Sequence, residues 1–217
     1  FLYFYKNYIL TKMTDDVIEF SDALKDAQRL GYAEADPTYD VEGIDSAHKL
    51  AILASLAYNI PLSFKEIYKE GITKITSQDI DFAGELGYKI KLLAIAKASD
   101  GKLELRVHPT MVPKDYLISK VDGVFYAVYA RGDAVGDTLY YGRGAGDMPT
   151  GSAIVSDIVD IARNIKKNTI GRIPGIKTVK GGESRIKKIE AIEAMYYFRF
   201  TAFDKPGVLS KISGILG

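Results

Sequence analysis

YKIKLLAIAKASDGKLELRVHPTMV, residues 88–112, consists of two largely apolar runs separated by a short polar segment. The polar segment contains the pair Asp100-Gly101, which is typical of the two-residue turn of a β-hairpin because both residue types tolerate a positive φ there. Runs of this length on either side of such a turn are typical of strands. The stretch therefore predicts strands over 88–98 and 103–112, joined by this turn.

The segments on both sides of this hairpin complete the predicted fold. Two further strands are expected over 123–132 and 137–142, which are rich in aromatic and aliphatic residues. Apolar residues recur with helical spacing in the following segments: 7–30 with a break at Thr14 or Asp15, 44–58, 63–68, 76–86 and 150–165. Four strands flanked by helices predict an α+β fold, in which helices pack on one face of a mixed β-sheet.

Short polar residues and glycines predict where these helices begin and end. Ser21, Ser63 and Ser77 are the expected N-caps of three helices, because their hydroxyls can accept a bond from a free backbone N–H. Thr150 is the expected cap of the helix that follows the last strand. Gly31 is expected to end the second helix as a C′ glycine.

The last quarter of the chain differs in composition from the rest. Residues 166–192 are basic and contain several glycines, which is typical of a connecting segment. Beyond them, AMYYFRFTAF at 194–203 is predicted to be a strand. The residues after it open a helix, with Asp204 as its cap and Pro206 near its first position.

The composition of the 217-residue chain excludes several classes of function. Lys and Arg number 29 and Asp and Glu number 28, so the net charge of +1 gives no attraction to nucleic acid or to an anionic membrane. The absence of cysteine excludes disulfides, thiol catalysis and thiolate metal sites, and it fits a reducing, cytoplasmic location. No apolar run approaches the roughly 20 residues of a membrane-spanning helix.

A second stretch, GYAEADPTYDVEGIDSAHKL at 31–50, combines glycines, several carboxylates and a lysine in a fixed order. This order resembles the signature of homoserine dehydrogenases. The matching residues are Ala27, Gly31, Tyr32, Ala33, Asp36, Pro37, Asp40, Val41, Gly43, Asp45 and Lys49. So many fixed positions in one short stretch make the signal specific, and HPTMVP and GRGAGDMPTGSAIVSDIVDIA extend the resemblance to about residue 165.

The resemblance implies an activity and a domain organisation. Members of the family interconvert L-homoserine and L-aspartate 4-semialdehyde with NAD or NADP, in threonine, methionine and isoleucine biosynthesis. Residues 1–170 would form the catalytic (substrate) domain and 171–192 a linker. Residues 193–217 resemble the start of a ferredoxin-like ACT regulatory domain. The family's glycine-rich nucleotide-binding turn does not precede residue 7, so we expect a fragment that is inactive alone.

The chemistry of aldehyde reduction suggests roles for several charged residues of this stretch. The reaction needs a hydride at carbon and a proton at oxygen. Lys49 is the expected proton donor, and Asp45, four residues earlier on the same helical face, can orient Lys49 or bind the substrate. The resemblance assigns Glu34 and Asp45 to the substrate and Asp40 to the active site. Glu34 and Asp40, on the preceding loop, suit the substrate ammonium group.

Glycines and one threonine are the expected contacts of the nicotinamide cofactor. Gly31 has no side chain to obstruct it, and Gly144 and Gly146 precede a helix N-terminus whose free amides suit phosphate. Thr150 belongs to the same loop and helix. No metal site is expected. Glu42 is expected to face solvent.

Two other functions remain open on the residues alone. Glu34, Asp36, Asp40 and Asp45 offer oxygen ligands for the divalent metal of a hydrolase, although Lys49 would repel that metal. The chain can also be a non-catalytic module that binds an amino acid or dimerises. In either setting we expect Asp36, beside a proline, to serve the turn.

The expected partners follow from the resemblance and from the exposed sheet. They are the small-molecule substrate, a second copy of the chain in a homodimer, and an amino-acid effector at the ACT-like end.

Overall fold

The computed structural model describes residues 6–144, 146–169 and 185–216. Its centre is the hairpin of β2 (Tyr88–Ser99) and β3 (Lys102–Pro113), paired from Tyr88 opposite Pro113 to Ser99 opposite Lys102. Asp100 and Gly101 both have a positive φ, of 52° and 74°. The predicted hairpin and its turn are therefore confirmed.

A short strand makes the central sheet mixed. β1 (Tyr68–Lys69) runs parallel to β3, opposite Arg106 and Val107. The helix predicted at 63–68 is therefore wrong, because the open edge of β3 offers backbone partners that a local sequence pattern does not reveal. Further along the same edge, Ile186 forms an isolated parallel bridge with Leu103. Strand order is β1-β3-β2, and the predicted mixed sheet is confirmed.

The other two predicted strands form a separate two-stranded sheet. β4 (Phe125–Gly132) and β5 (Gly136–Arg143) pair in antiparallel fashion. Tyr126 and Tyr129 of β4 pack against a small cluster that includes Leu93 and Ile95 of β2. One face of the central sheet is thus covered by the second hairpin rather than by helices.

The helices are α1 (Lys6–Asp15), α2 (Phe20–Arg29), α3 (Thr38–Val41), α4 (Ile44–Tyr58), α5 (Ser77–Glu85), α6 (Asp147–Lys166) and α7 (Val208–Leu216). Helices α1, α4 and α5 contact β2 and form the other layer, which confirms helices on one face of the central sheet. The main core between these layers includes Ile9, Met13, Leu50, Leu92 and Leu105, each at most 4% exposed. Each such side chain stabilises the fold by about 1.5–3 kcal/mol through removal from water.

The helix boundaries correct three predicted caps. α2 begins after Glu19 rather than Ser21. α5 begins after Thr76 rather than Ser77, because Thr76 and Asp79 form a reciprocal capping box. α6 begins after Gly146, so Thr150 lies in its first turn and is not its cap. Pro149 lies in the first turn of α6, where a backbone N–H would have no intrahelical acceptor. A residue without an N–H is therefore compatible with this earlier start.

In the C-terminal part of the chain, residues 170–184 of the predicted connecting segment lie outside the described residues, and the predicted helix is confirmed. α7 is present, although Pro206 lies two residues before it. Residues 194–203 form no helix or strand, so the predicted strand there is wrong. The helix α6 has no buried residue. Across the residues that the structure describes, no helix combines the length and apolarity needed to cross a membrane.

Candidate active site

The end of α2 forms the turn that begins the charged stretch. Gly31 has a φ of 73°. Its N–H donates to the Gln28 carbonyl at 3.0 Å, and the Tyr32 N–H donates to the Ala27 carbonyl at 2.9 Å. This pair of bonds is a Schellman motif, which confirms Gly31 as a C′ glycine. A Cβ added to Gly31 would meet no atom within 4 Å, so the surface beside it is open.

The loop after Gly31 presents Glu34 to solvent. Gln28 Nε2 donates to the backbone carbonyl of Glu34 at 3.0 Å and thereby holds the loop against α2. Asp36 Oδ1 accepts bonds from the hydroxyl of Thr38 at 2.6 Å and from its N–H at 3.1 Å. These two bonds lower the pKa of Asp36. The predicted turn role of Asp36 is confirmed, and its neighbour Glu34 keeps an accessible carboxylate.

Glu42 and a buried glycine, Gly43, join α3 to α4. Gly43 has a φ of 76°, and its N–H donates to the Asp40 carbonyl at 3.0 Å. A Cβ at Gly43 would lie 3.0 Å from Val107 Cγ1 and 3.5 Å from the Glu70 carbonyl oxygen. Both the backbone conformation and the close approach of β3 therefore require glycine here. The turn fixes Asp40 before it and Asp45 after it.

Asp45 and Lys49 lie one turn apart on α4. Lys49 Nζ is 3.2 Å from Asp45 Oδ2, while 44% of the lysine side chain and 30% of the aspartate side chain are exposed. The opposite side of α4 buries Leu50, Ala51 and Ala54. The pair is thus carried by an anchored helix but remains accessible to a ligand. The predicted contact is confirmed, and its catalytic role stays a prediction.

The remaining predicted residues lie on a different element, at the junction of β5 and α6. A Cβ at Gly144 would lie 1.1 Å from Tyr126 Cδ2, so the tyrosine ring alone explains this glycine. Gly146 is the N-cap of α6 with a φ of 115°. The first amides of a helix have no intrahelical acceptor, and they suit an anionic group. The Thr150 N–H donates to the Gly146 carbonyl at 3.0 Å.

Lys91, in the middle of β2, is a buried charged residue that the signature does not indicate; its side chain is 2% exposed. Its Nζ donates to Asn7 Oδ1 at 2.8 Å, to the Val121 carbonyl at 2.7 Å and to Asp122 Oδ1 at 2.6 Å. Burial lowers the pKa of the Lys91 amine, and Asp122 counteracts that effect. The cluster ties α1 and β2 to the segment before β4. A lysine inside an apolar strand is the sequence signal for it, because lysine is rarely buried without partners.

The hydrolase alternative requires converging oxygen ligands. Within residues 6–144, 146–169 and 185–216, no group of three or more His, Asp or Glu side chains is placed to hold a metal ion. Of the four carboxylates considered for such a site, Asp36 accepts bonds from Thr38, and Asp45 pairs with Lys49. Both carboxylates therefore have partners of their own.

Comparison with known proteins identifies the family. The family model described as homoserine dehydrogenase matches residues 5–159. The chain belongs to the homoserine dehydrogenase family. A homoserine dehydrogenase of Pseudomonas aeruginosa is 51% identical over 212 residues, and one of Helicobacter pylori is 52% identical over 210 residues. Each comparison covers 97% of this chain, but only 49% and 48% of the relative.

Solved structures of homoserine dehydrogenases have the same fold. The enzyme from Thiobacillus denitrificans superposes with a TM-score of 0.90 at 50% identity, over 97% of this chain and 49% of that one. A hyperthermophilic archaeal homoserine dehydrogenase mutant in complex with NADPH gives a TM-score of 0.58 at 28% identity, over 73% and 45% of the two chains. The chain thus spans about half the length of the curated relatives it matches.

Proposed function

We propose that the chain is the substrate-binding half of a homoserine dehydrogenase, an oxidoreductase that interconverts L-homoserine and L-aspartate 4-semialdehyde with NAD or NADP. The observation that carries this proposal is the accessible Lys49–Asp45 pair on α4. It lies within the family signature, directly after the glycine turn that orients the start of the helix. The family supplies the reaction, and the pair supplies groups able to assist it.

Lys49 is the proposed proton donor. In the direction of reduction its ammonium group gives a proton to the aldehyde oxygen, and in the reverse direction the amine accepts it from the homoserine hydroxyl. Asp45, at 3.2 Å, holds the ammonium group in position. The positive charge of Lys49 also stabilises the negative charge that develops on the oxygen before the proton arrives.

The substrate's ammonium group is assigned to the carboxylates that precede Lys49. Glu34 is exposed on the loop after Gly31, and Asp40 is half-buried in α3. Carboxylates form charge-assisted hydrogen bonds with an ammonium group, which are stronger than neutral ones. Asp40 and Asp45 therefore serve both binding and catalysis in this proposal, whereas Glu34 serves binding.

A nicotinamide cofactor, NAD or NADP, supplies the hydride when it is bound. Gly31 fits such a ligand because the space beside its Cα is open. Gly146 fits because it leaves the N-terminal amides of α6 uncovered by a side chain. Gly144 and Thr150 would frame the same loop, and an NADPH complex of an archaeal relative supports the choice of cofactor.

Several broader properties belong to the same proposal. The enzyme would act in threonine, methionine and isoleucine biosynthesis in the cytoplasm. It would be a homodimer, with an amino-acid effector bound at the ACT-like C-terminal unit. The 217 residues by themselves are expected to bind homoserine without turning it over, since their relatives are about twice as long.

The decisive experiment joins the chain to a nucleotide-binding half from a relative and measures homoserine-dependent reduction of NADP. Lys49→Ala should lower kcat by about 10²–10⁴-fold, the usual contribution of a positioned proton donor. Homoserine affinity, measured by calorimetry on the same variant, should change far less than turnover.

Lys12 provides a matched control. It also pairs with an aspartate four residues away, Asp16, at 2.7 Å, and it lies on α1 rather than at the site. Lys12→Ala should leave kcat unchanged. Full turnover by Lys49→Ala would rule out the proton-donor role, and absence of any homoserine oxidation by the unsubstituted joined enzyme would rule out the activity.

A further inference from the structure

The turn that carries Asp40 and Asp45 is held from outside by the segment that follows β1. The Ile72 N–H donates to the Val41 carbonyl at 2.8 Å. Thr73 Oγ1 donates to Glu42 Oε1 at 2.8 Å. Glu42 was expected to face solvent, but it is half-buried and bonded to Thr73. Two bonds from adjacent residues thus grip the last residue of α3 and the residue that follows it.

Gly71 shows how closely this segment packs against the α3–α4 turn. A Cβ built on Gly71 would lie 2.4 Å from the Val41 carbonyl oxygen and 2.6 Å from Glu42 Cα. Any other residue would therefore push the segment away from the α3–α4 turn. The positions of Val41 and Glu42 depend directly on the backbone at 71–73.

The C-terminal part of the chain binds the other end of this segment, at Asp79. Arg199 Nε donates to Asp79 Oδ1 at 2.7 Å, and Arg199 Nη2 lies 3.3 Å from Asp79 Oδ2. The Tyr197 hydroxyl donates to Asp79 Oδ1 at 3.2 Å, and Arg199 Nη1 donates to Gln78 Oε1 at 3.2 Å. Burial raises the pKa of Asp79, but these bonds and those from Thr76 outweigh burial and hold that pKa at about 2.

Between these two contacts the segment is short, and hydrogen bonds form within it. The Ile75 N–H donates to the Ile72 carbonyl at 3.1 Å, and the side chain of Ile72 is fully buried. Thr76 and Asp79 cap each other at the start of α5. A displacement of Asp79 therefore reaches Ile72 through a few bonded residues rather than through a loose loop.

We infer that residues 71–79 couple the C-terminal segment to the substrate-binding turn. Thr73 and Glu42 are positioning residues at the turn, and Arg199 binds the far end of the segment at Asp79. Docking of residues 197–199 on Asp79 holds Gly71–Thr73 against the turn, and the turn sets the positions of Asp40 and Asp45. Movement of the C-terminal segment would then alter substrate affinity without any contact with the substrate. The kinetic consequence rests on the proposed function, whereas the mechanical coupling does not.

The coupling can be measured in the 217-residue chain by NMR amide exchange at Ile72 and Ala47. The Ala47 amide reports on the turn because it donates to the Gly43 carbonyl at 3.0 Å. Thr73→Val should accelerate exchange at both amides by about two- to tenfold, the effect of one lost hydrogen bond. Arg199→Ala should accelerate the same amides by about two- to threefold, and the double variant should give less than the product of the two effects.

Matched variants separate this coupling from a general loss of stability. Arg131→Ala removes another bidentate arginine–aspartate pair, the more exposed one that Arg131 forms with Asp137 on the second hairpin. It should leave Ile72 and Ala47 exchange unchanged. Amides of β4 should exchange at the same rate in Arg199→Ala and in the unsubstituted chain. Arg199→Lys, which keeps the charge but not the two-pronged contact, should give an intermediate effect.

Activity provides a second readout in the enzyme completed with its nucleotide-binding half. Thr73→Val should raise the KM for homoserine by about threefold or more and lower kcat to a smaller extent, because the same turn sets the position of Asp45; Thr73→Ser should restore both. The coupling is overturned if Arg199→Ala leaves exchange at Ile72 and Ala47 unchanged. The positioning role is overturned if Thr73→Val leaves them unchanged. An inactive completed enzyme would instead refute the proposed function and leave the exchange result intact.

Discussion

Two lysine–aspartate pairs of this protein have the same chemistry and opposite surroundings. Lys91 is 2% exposed and gives its ammonium hydrogens to Asn7, Val121 and Asp122. Lys49 is 44% exposed and lies 3.2 Å from Asp45. A buried lysine whose ammonium group is fully engaged by protein oxygens acts as an anchor, whereas the side chain of Lys49 remains accessible to a ligand.

The pairs also differ in how far apart their members lie in the chain. Asp45 precedes Lys49 by four residues, so one helix positions both. Asp122 follows Lys91 by 31 residues, so the pair closes only when the fold is complete. The Lys91–Asp122 contact therefore depends on the tertiary structure, whereas the Lys49–Asp45 contact needs only a helix and the turn that precedes it.

The largest stability effect is expected at the anchor. Lys91→Met preserves side-chain volume but removes the donor to three oxygens, and it should lower the free energy of unfolding by about 3 kcal/mol. Urea denaturation measures this value. Lys89→Met, which removes the more exposed partner of Asp122, serves as the control and should cost much less. Equal losses in the two variants would contradict the anchoring role.

The Arg199–Asp79 pair extends the comparison to an intermediate case. The folded pKa of Asp79, at about 2, lies below the value near 3.9 expected for the unfolded chain. The unfolded chain therefore binds the proton first, and the contribution of Asp79, about 2 kcal/mol, is complete above pH ~4 and lost as pH falls through ~2.

This contribution can be isolated by acid titration of the unfolding free energy. Arg199→Ala should remove much of the pH dependence of the unfolding free energy between about pH 4 and 2. Burial raises the pKa of Asp79, and the hydrogen bond from the Arg199 guanidinium is the strongest effect that lowers it. The reference is the unsubstituted chain at the same ionic strength. An acid profile that does not change in Arg199→Ala would show that Thr76 and Tyr197 hold the pKa of Asp79 down without Arg199.

The smallest stability effect is expected at the accessible pair. Lys49→Met removes a partly exposed helical pair, so the free energy of unfolding should change by about 0.5 kcal/mol or less. Thermal and urea unfolding, compared with Lys91→Met, test this directly. A loss as large as that at Lys91 would mean that Lys49 is structural, and the comparison would fail.

Local sequence patterns predicted the parts of the fold that depend on local physics. The Asp100-Gly101 turn fixed the central hairpin, and helical spacing located α4 from Ile44 to Tyr58. The caps were displaced by one to four residues. Thr76 replaces Ser77 through its capping box with Asp79, whereas α2 and α6 begin after Glu19 and Gly146 without any side-chain cap bond. The helix expected at 63–68 and the strand expected at 194–203 failed because tertiary contacts decide both segments.

The candidate site was more predictable than the contacts that support it. Gly31, Asp36, Asp45 and Lys49 interact with residues a few positions away, so the signature contains most of their local geometry. The bond from Thr73 to Glu42 joins residues 31 positions apart, and the bonds of Arg199 to Asp79 join residues 120 apart. A single sequence contains no periodicity or motif that pairs such distant residues.

The edge of β3 that faces away from β2 is shared by two short pieces of chain, β1 opposite Arg106 and Val107, and Ile186 opposite Leu103. Bare strand edges act as templates on which other molecules polymerise. A version of the protein shortened at Thr169 would keep one of these shields and lose the other. We expect folded molecules of this shortened version to aggregate slowly through the exposed part of the β3 edge. Thermal unfolding curves do not detect this defect.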